Sequence, residues 1–302
     1  MQRSTHSVLL LGSIMCALLL IAWVGSAFAA AAQGMYSISD YYSDLMGVIG
    51  GEWEQVGGLF TYLVGQQYFM WGFLLIISVI PLLFAGHLLI IGAKHFDHGG
   101  NQILFFPPLA RIIHFIGALS FTLLVISGLL IVCGQFFGGG TFIRLARYVH
   151  IFGAILAVPA VLGMLVIWFK DMLPALCDIK WIFMLGGYLS KEIKPVPAKK
   201  YNAGQKMWYW CAVFGGLVML ATGFLIWGFG ANLDIIRYSA IIHNVLGMVI
   251  VAFFLTHCYM SIFAIAGSLQ SMKTGYKPEH EVHMLHSLHK YKESDVKPGD
   301  HH

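Results

Sequence analysis

Five apolar runs dominate this 302-residue chain, at about residues 68–92, 112–134, 148–169, 207–229 and 238–266. Each is long enough to cross about 30 Å of hydrocarbon as a helix rising about 1.5 Å per residue. Hydrocarbon holds no water to satisfy backbone N–H and C=O groups, so such runs must close their hydrogen bonds internally, as helices. Charged residues make up only 11% of the chain, against about 25% in an average soluble domain. A water-soluble globule is therefore excluded, and the fold class is an all-α, polytopic membrane protein. The net charge of +4 is small and basic residues are not interleaved with aromatic ones, which excludes a nucleic-acid partner.

Residues 1–32 read as a signal peptide: Arg3 and His6, then an apolar stretch from Val8 to Val24, then Ala27-Phe28-Ala29 as a cleavage site. A retained first helix is the other reading. Residues 33–67 contain Asp40, Asp44, Glu52 and Glu54 but no Lys or Arg, as expected of a periplasmic segment. The run at 68–92 is an extra transmembrane helix ahead of the other four. Lysines and arginines border the spans unequally. Lys94, Arg111, the seven lysines between 170 and 206, Lys273 and Lys277 lie on one side, against Arg144, Arg147 and Arg237 on the other. The positive-inside rule puts the 170–206 connection and the C-terminus in the cytoplasm, and the expected location is the bacterial inner membrane.

The chain repeats itself across two of these helices. Leu109–Ala118 reads LARIIHFIGA and Leu145–Ala154 reads LARYVHIFGA. Each copy begins a helix, so His114 falls at the cytoplasmic level and His150 at the outer level. The last run adds His243 near its outer start and His257 near its inner end. Fourteen residues separate these two by about 21 Å and return them to within roughly 40° of one face. Depth pairs His114 with His257 and His150 with His243.

Buried histidines are costly unless their nitrogens are satisfied. Two b-type haems with bis-histidine ligation would satisfy all four, and hydrogen-bonded core histidines are the competing account. Zinc would call for three or four ligands at one depth, and no further Cys, His, Asp or Glu is available at either level. The five cysteines have no CxxC, CxxCH or cluster spacing, which argues against iron–sulfur clusters or covalent haem in this chain. Gly117, Gly153 and Gly247 lie three or four residues after a histidine, where a missing side chain would admit a flat macrocycle. Arg111, Arg147 and Arg237 sit on the water side, as propionate partners or as snorkelling interfacial arginines.

Residues 109–272 resemble the cytochrome b (gamma) subunit of respiratory membrane-bound formate dehydrogenases, a four-helix transmembrane dihaem core. The most specific match is Tyr201–Met207, YNAGQKM, supported by IRYSAIIH at Ile236–His243 and by His257-Cys258-Tyr259-Met260. The resemblance implies that His114 and His257 ligate the inner haem and His150 and His243 the outer one. It also implies a menaquinone site near His257, lined by Asn202, Gly204 and Gln205. From the residues alone, that stretch reads only as a helix-capping turn. The implied partners are a periplasmic iron–sulfur (beta) subunit and a molybdenum or tungsten catalytic (alpha) subunit, where formate oxidation would take place.

The resemblance leaves residues 1–92 unexplained. His87 is expected to be a packed core histidine, or else a contact to quinone or a partner subunit. The His-rich tail at 273–302, with His280, His283, His286 and His289, is expected to be a solvated cytoplasmic segment. Two rival functions remain: the cytochrome b anchor of a nickel–iron hydrogenase or sulfur-compound reductase, and a haem-free transporter or anchor.

Overall fold

The structure, a computed structural model, describes residues 56–97, 99–227 and 232–299. The expected signal segment, most of the periplasmic segment and part of the turn before the last span lie outside these residues. The chain divides into two compact units, one of residues up to Leu74 with Ala221–Met248, the other of Leu75–Leu220 with Val249–His302.

Ten helices are used below: α1 Gly57–Gly65, α2 Tyr68–Ile90, α3 Pro108–Val132, α4 Gly140–Trp168, α5 Leu176–Met184, α6 Ala203–Trp210, α7 Gly216–Ile226, α8 Leu233–Tyr259, α9 Ser268–Thr274 and α10 Glu279–Leu285. A π-helical turn, Cys211–Gly215, joins α6 to α7, and another, Met260–Ala264, extends α8. Among the described residues, five helices are long and apolar enough to cross a membrane: Tyr68–Ile90, Pro108–Val132, Gly140–Trp168, Ala203–Ile226 and Leu233–Ala264. They coincide with the five apolar runs, but four begin earlier than those runs do. Helix α3 starts at Pro108 rather than 112, α4 at Gly140 rather than 148, the α6–α7 span at Ala203 rather than 207, and α8 at Leu233 rather than 238. The added turns carry Arg111, Arg144 and Arg147, Gln205 and Lys206, and Asp234 and Arg237. These residues are helical without being apolar, so the apolar edge reports the hydrocarbon boundary and not the end of the helix.

Local chemistry sets the ends. Pro108 opens α3 at a position where its fixed φ suits the helix and its missing N–H costs nothing. Gly138, Gly139 and Gly140 all have positive φ, which turns the chain tightly between α3 and α4. At α6, Asn202 Oδ1 accepts from Gln205 N and Gln205 Oε1 accepts from Asn202 N, both at 2.9 Å, a reciprocal capping box. Pro81 and Pro159 lie inside α2 and α4, which run on through them; membrane helices tolerate this where neighbours re-satisfy the freed carbonyl.

In the second unit, α3 and α4 pack most closely. Buried Gly117, Ser120, Gly153, Ala157 and Ala160 line their contact, small residues that let helix backbones approach, and Ser120 Oγ donates to Gly153 O at 2.9 Å. The same unit holds a three-stranded antiparallel sheet ordered β2–β1–β3, in which β1 (Gln102–Leu104) pairs with β2 (Tyr276–Pro278) and β3 (Val296–Lys297). A tail strand therefore flanks the α2–α3 connection on each side. Ile103 and Phe105 are fully buried beneath them. In the first unit, Leu63 of α1 and Phe69 of α2 pack with Ile241, Val245 and Met248 of α8.

Candidate functional site

Helices α3 and α8 bring His114 and His257 together, with ring centroids 6.1 Å apart and planes tilted by 58°. That gap is too wide for a direct hydrogen bond between the rings. It suits one metal ion between them, because two metal–nitrogen bonds of about 2 Å plus the ring radii come to about 6 Å. His114 Nδ1 is buried and has no hydrogen-bond partner among the described residues. Trp208 of α6 stacks on His257 at 5.5 Å and 20°, and Phe121 and Phe254 pack around Trp208. The π turn that follows adds a residue to the helical repeat. Trp208 carried no sequence signal, since an aromatic residue in an apolar run looks like any other.

His150 lies in the second unit and His243 in the first, and each has the same local frame. Ser127 Oγ is 2.9 Å from His150 Nδ1, and Thr222 Oγ1 is 2.9 Å from His243 Nδ1. The next residue in each case is a glycine facing the ring. A Cβ on Gly128 would stand 3.3 Å from His150 Cε1, and one on Gly223 would stand 3.4 Å from His243 Cε1. Two of the three glycines singled out from the sequence face elsewhere. Gly117 looks onto the Met164 methyl, and Gly153 onto Leu123 and Leu124. These two serve helix contact, while Gly128 and Gly223 give the histidines room. The repeated hydroxyl–glycine pair, Ser127-Gly128 and Thr222-Gly223, was the available signal.

Arg111 donates from Nη1 to Lys273 O, and its buried Nε has no partner among the described residues. Arg147 is exposed, and Arg237 pairs with Asp234 at 3.1 Å. At the YNAGQKM turn, the carbonyl oxygens of Asn202 and Gln205 serve the cap, and Gly204 packs on Trp181, whose ring a Cβ there would meet at 2.8 Å. Lys206 reaches back to Asp178 of α5 at 2.8 and 3.1 Å, a buried ion pair. His87 is held at both nitrogens, Nδ1 to Tyr259 Oη at 2.5 Å and Nε2 to Tyr188 O at 2.9 Å.

The tail corrects its expectation: it is folded and not wholly solvated, with His280 and His283 exposed but His286 buried. Asp97 N donates to His280 Nδ1 at 3.2 Å, and His283 Nε2 lies 2.9 Å from Tyr291 Oη. His286 is buried, with Nδ1 donating to Lys199 O at 3.1 Å. Burial, with the Lys277 ammonium nearby, pushes its pKa down to about 3. Lys277 and Glu281 form a buried ion pair. The alternation of His with apolar residues hid this core, because buried His286 has the same sequence context as exposed His283.

The sequence model of the prokaryotic cytochrome b561 family matches residues 106–275. The nitrate-inducible formate dehydrogenase cytochrome b556(Fdn) subunit of Escherichia coli (strain K12) is 33% identical over 137 residues, covering 44% of this chain and 63% of that protein. The formate dehydrogenase cytochrome b556 subunit of Haemophilus influenzae is 26% identical over 141 residues, covering 44% of this chain and 58% of that one. The formate dehydrogenase cytochrome b556(fdo) subunit of E. coli K12 is 24% identical over 177 residues, covering 55% and 81%. This chain thus spans about 63% of the length of the first of these relatives.

Proposed function

We propose that this chain, which belongs to the prokaryotic cytochrome b561 family, is the membrane-anchoring dihaem cytochrome b subunit of a formate dehydrogenase. The observation that carries the reading is the His114–His257 pair, whose ring centroids lie 6.1 Å apart, the spacing that one metal ion between them requires. His114 and His257 would hold the inner haem. His150 and His243, which helix depth in the sequence places at one outer level, would hold the other. Bis-histidine b haems supply one-electron transfer, here between a periplasmic iron–sulfur partner and menaquinone on the cytoplasmic side. Trp208 fixes the plane of the His257 ring by stacking. The Arg111 Nε, buried and unpartnered among the described residues, supports a propionate contact on the water side. The capping box commits the amide oxygens of Asn202 and Gln205 and leaves their NH2 groups as donors, the polarity a quinone carbonyl requires. The names of the relatives, cytochrome b556 subunits of formate dehydrogenases, support formate as the reductant and an association with further subunits.

A pyridine haemochrome assay with reduced-minus-oxidised spectra on the purified chain tests this. The expected result is two b haems per polypeptide, with His114→Ala or His257→Ala removing one and His150→Ala or His243→Ala the other. Equal haem content in all four variants, or a colourless protein, overturns it.

A further inference from the structure

The histidines at the outer level each carry a hydroxyl on the nitrogen that would not face a metal. Ser127 Oγ lies 2.9 Å from His150 Nδ1, and it also lies 2.5 Å from Leu123 O and 3.4 Å from Leu124 O. A hydroxyl has one proton, and here two backbone carbonyls stand ready to accept it. With that proton on Leu123 O, Oγ faces His150 as an acceptor, so Nδ1 must be the protonated nitrogen and Nε2 keeps its lone pair. The arrangement is rigid: Ser127 is buried on α3, and the absence of a side chain at Gly128 lets the ring lie close to the helix. Thr222 and Gly223 repeat the hydroxyl, the distance and the glycine contact around His243 in the other unit. His114 differs: its Nδ1 has no such acceptor among the described residues.

We propose that Ser127 is a positioning residue that fixes the tautomer of His150 and strengthens it as an iron donor, which lowers the potential of the haem it would ligate relative to the inner one. The proposal rests on the dihaem reading above. An acceptor on Nδ1–H moves electron density towards Nε2 and raises ligand basicity, which stabilises ferric over ferrous iron, and losing such a partner changes metal affinity by about 10–100-fold. Taking the lower figure, a tenfold smaller preference for ferric iron raises the midpoint of a one-electron couple by about 59 mV.

The test is a redox titration of the two haems in membranes containing the full chain, with haem content measured alongside. In Ser127→Ala, one haem should rise by about 59 mV while the other stays put. Ser127→Thr, which keeps the hydroxyl, should titrate as wild type. If Ser127→Ala loses the haem outright, retention of haem and potential in Ser127→Thr still supports the hydroxyl, whereas loss in both overturns the proposal. It is also overturned if both potentials stay unmoved with full haem content. A wild-type chain without two haems would defeat the dihaem reading itself, an outcome distinct from all of these.

Discussion

Acidification should release the folded tail, and His286 supplies the reason. Its ring is 2% exposed, rests against Phe105 at 5.1 Å and donates to the Lys199 carbonyl. Burial first, and the Lys277 charge second, push its pKa from 6.5 to about 3. The folded-state value is depressed, so the stabilisation is fully present above pH 6.5 and is lost as pH falls towards 3. In that window the unfolded tail binds a proton that the folded tail refuses, at about 1.4 kcal/mol per pH unit. At pH 4.5 the loss comes to about 3 kcal/mol, roughly a hundredfold in the ratio of open to closed tail. His289 is also lowered, by burial and by Lys200, and adds an effect of the same sign. The assay is hydrogen exchange of residues 276–297 in the full chain between pH 7.5 and 4.5, corrected for intrinsic rates. Protection should fall about a hundredfold in the wild type and much less in His286→Gln. Unchanged wild-type protection at pH 4.5, or an equal loss in His286→Gln, would refute the reasoning.

Two further outcomes follow from the YNAGQKM turn. Lys206→Met leaves the Asp178 carboxylate buried without its partner and should cost about 3–5 kcal/mol, read as a lower Tm of the solubilised chain; adding Asp178→Leu should recover most of it. Asn202→Ala removes the acceptor for Gln205 N and should cost about 1 kcal/mol of stability. If its NH2 group meets quinone, the same variant keeps both haems and loses quinone turnover, and normal turnover would leave Asn202 as a cap alone.

The membrane class, the five spans and the four intramembrane histidines were legible in the order of residues. Exclusion from water acts on each run by itself: a stretch such as Tyr68–Ile90 must be helical in hydrocarbon whatever surrounds it. The depth of His114, His257, His150 and His243 follows just as directly from helix rise. What touches a histidine does not, because it depends on how one helix is rotated against another. Only the packed structure aims Ser127 and not Gly117 at the neighbourhood of His150, stacks Trp208 on His257, and turns Gly117 and Gly153 to the α3–α4 contact. The tail shows the same limit most clearly. Gln102–Leu104 and Tyr276–Pro278 are too short to show a strand period and lie about 170 residues apart, so the burial of His286 and the Lys277–Glu281 pair arises only once the strands meet. Sequence determined which segments must leave water, since that is a property of each segment alone; tertiary structure decided which side chains share the space they leave behind, since that is a property of pairs.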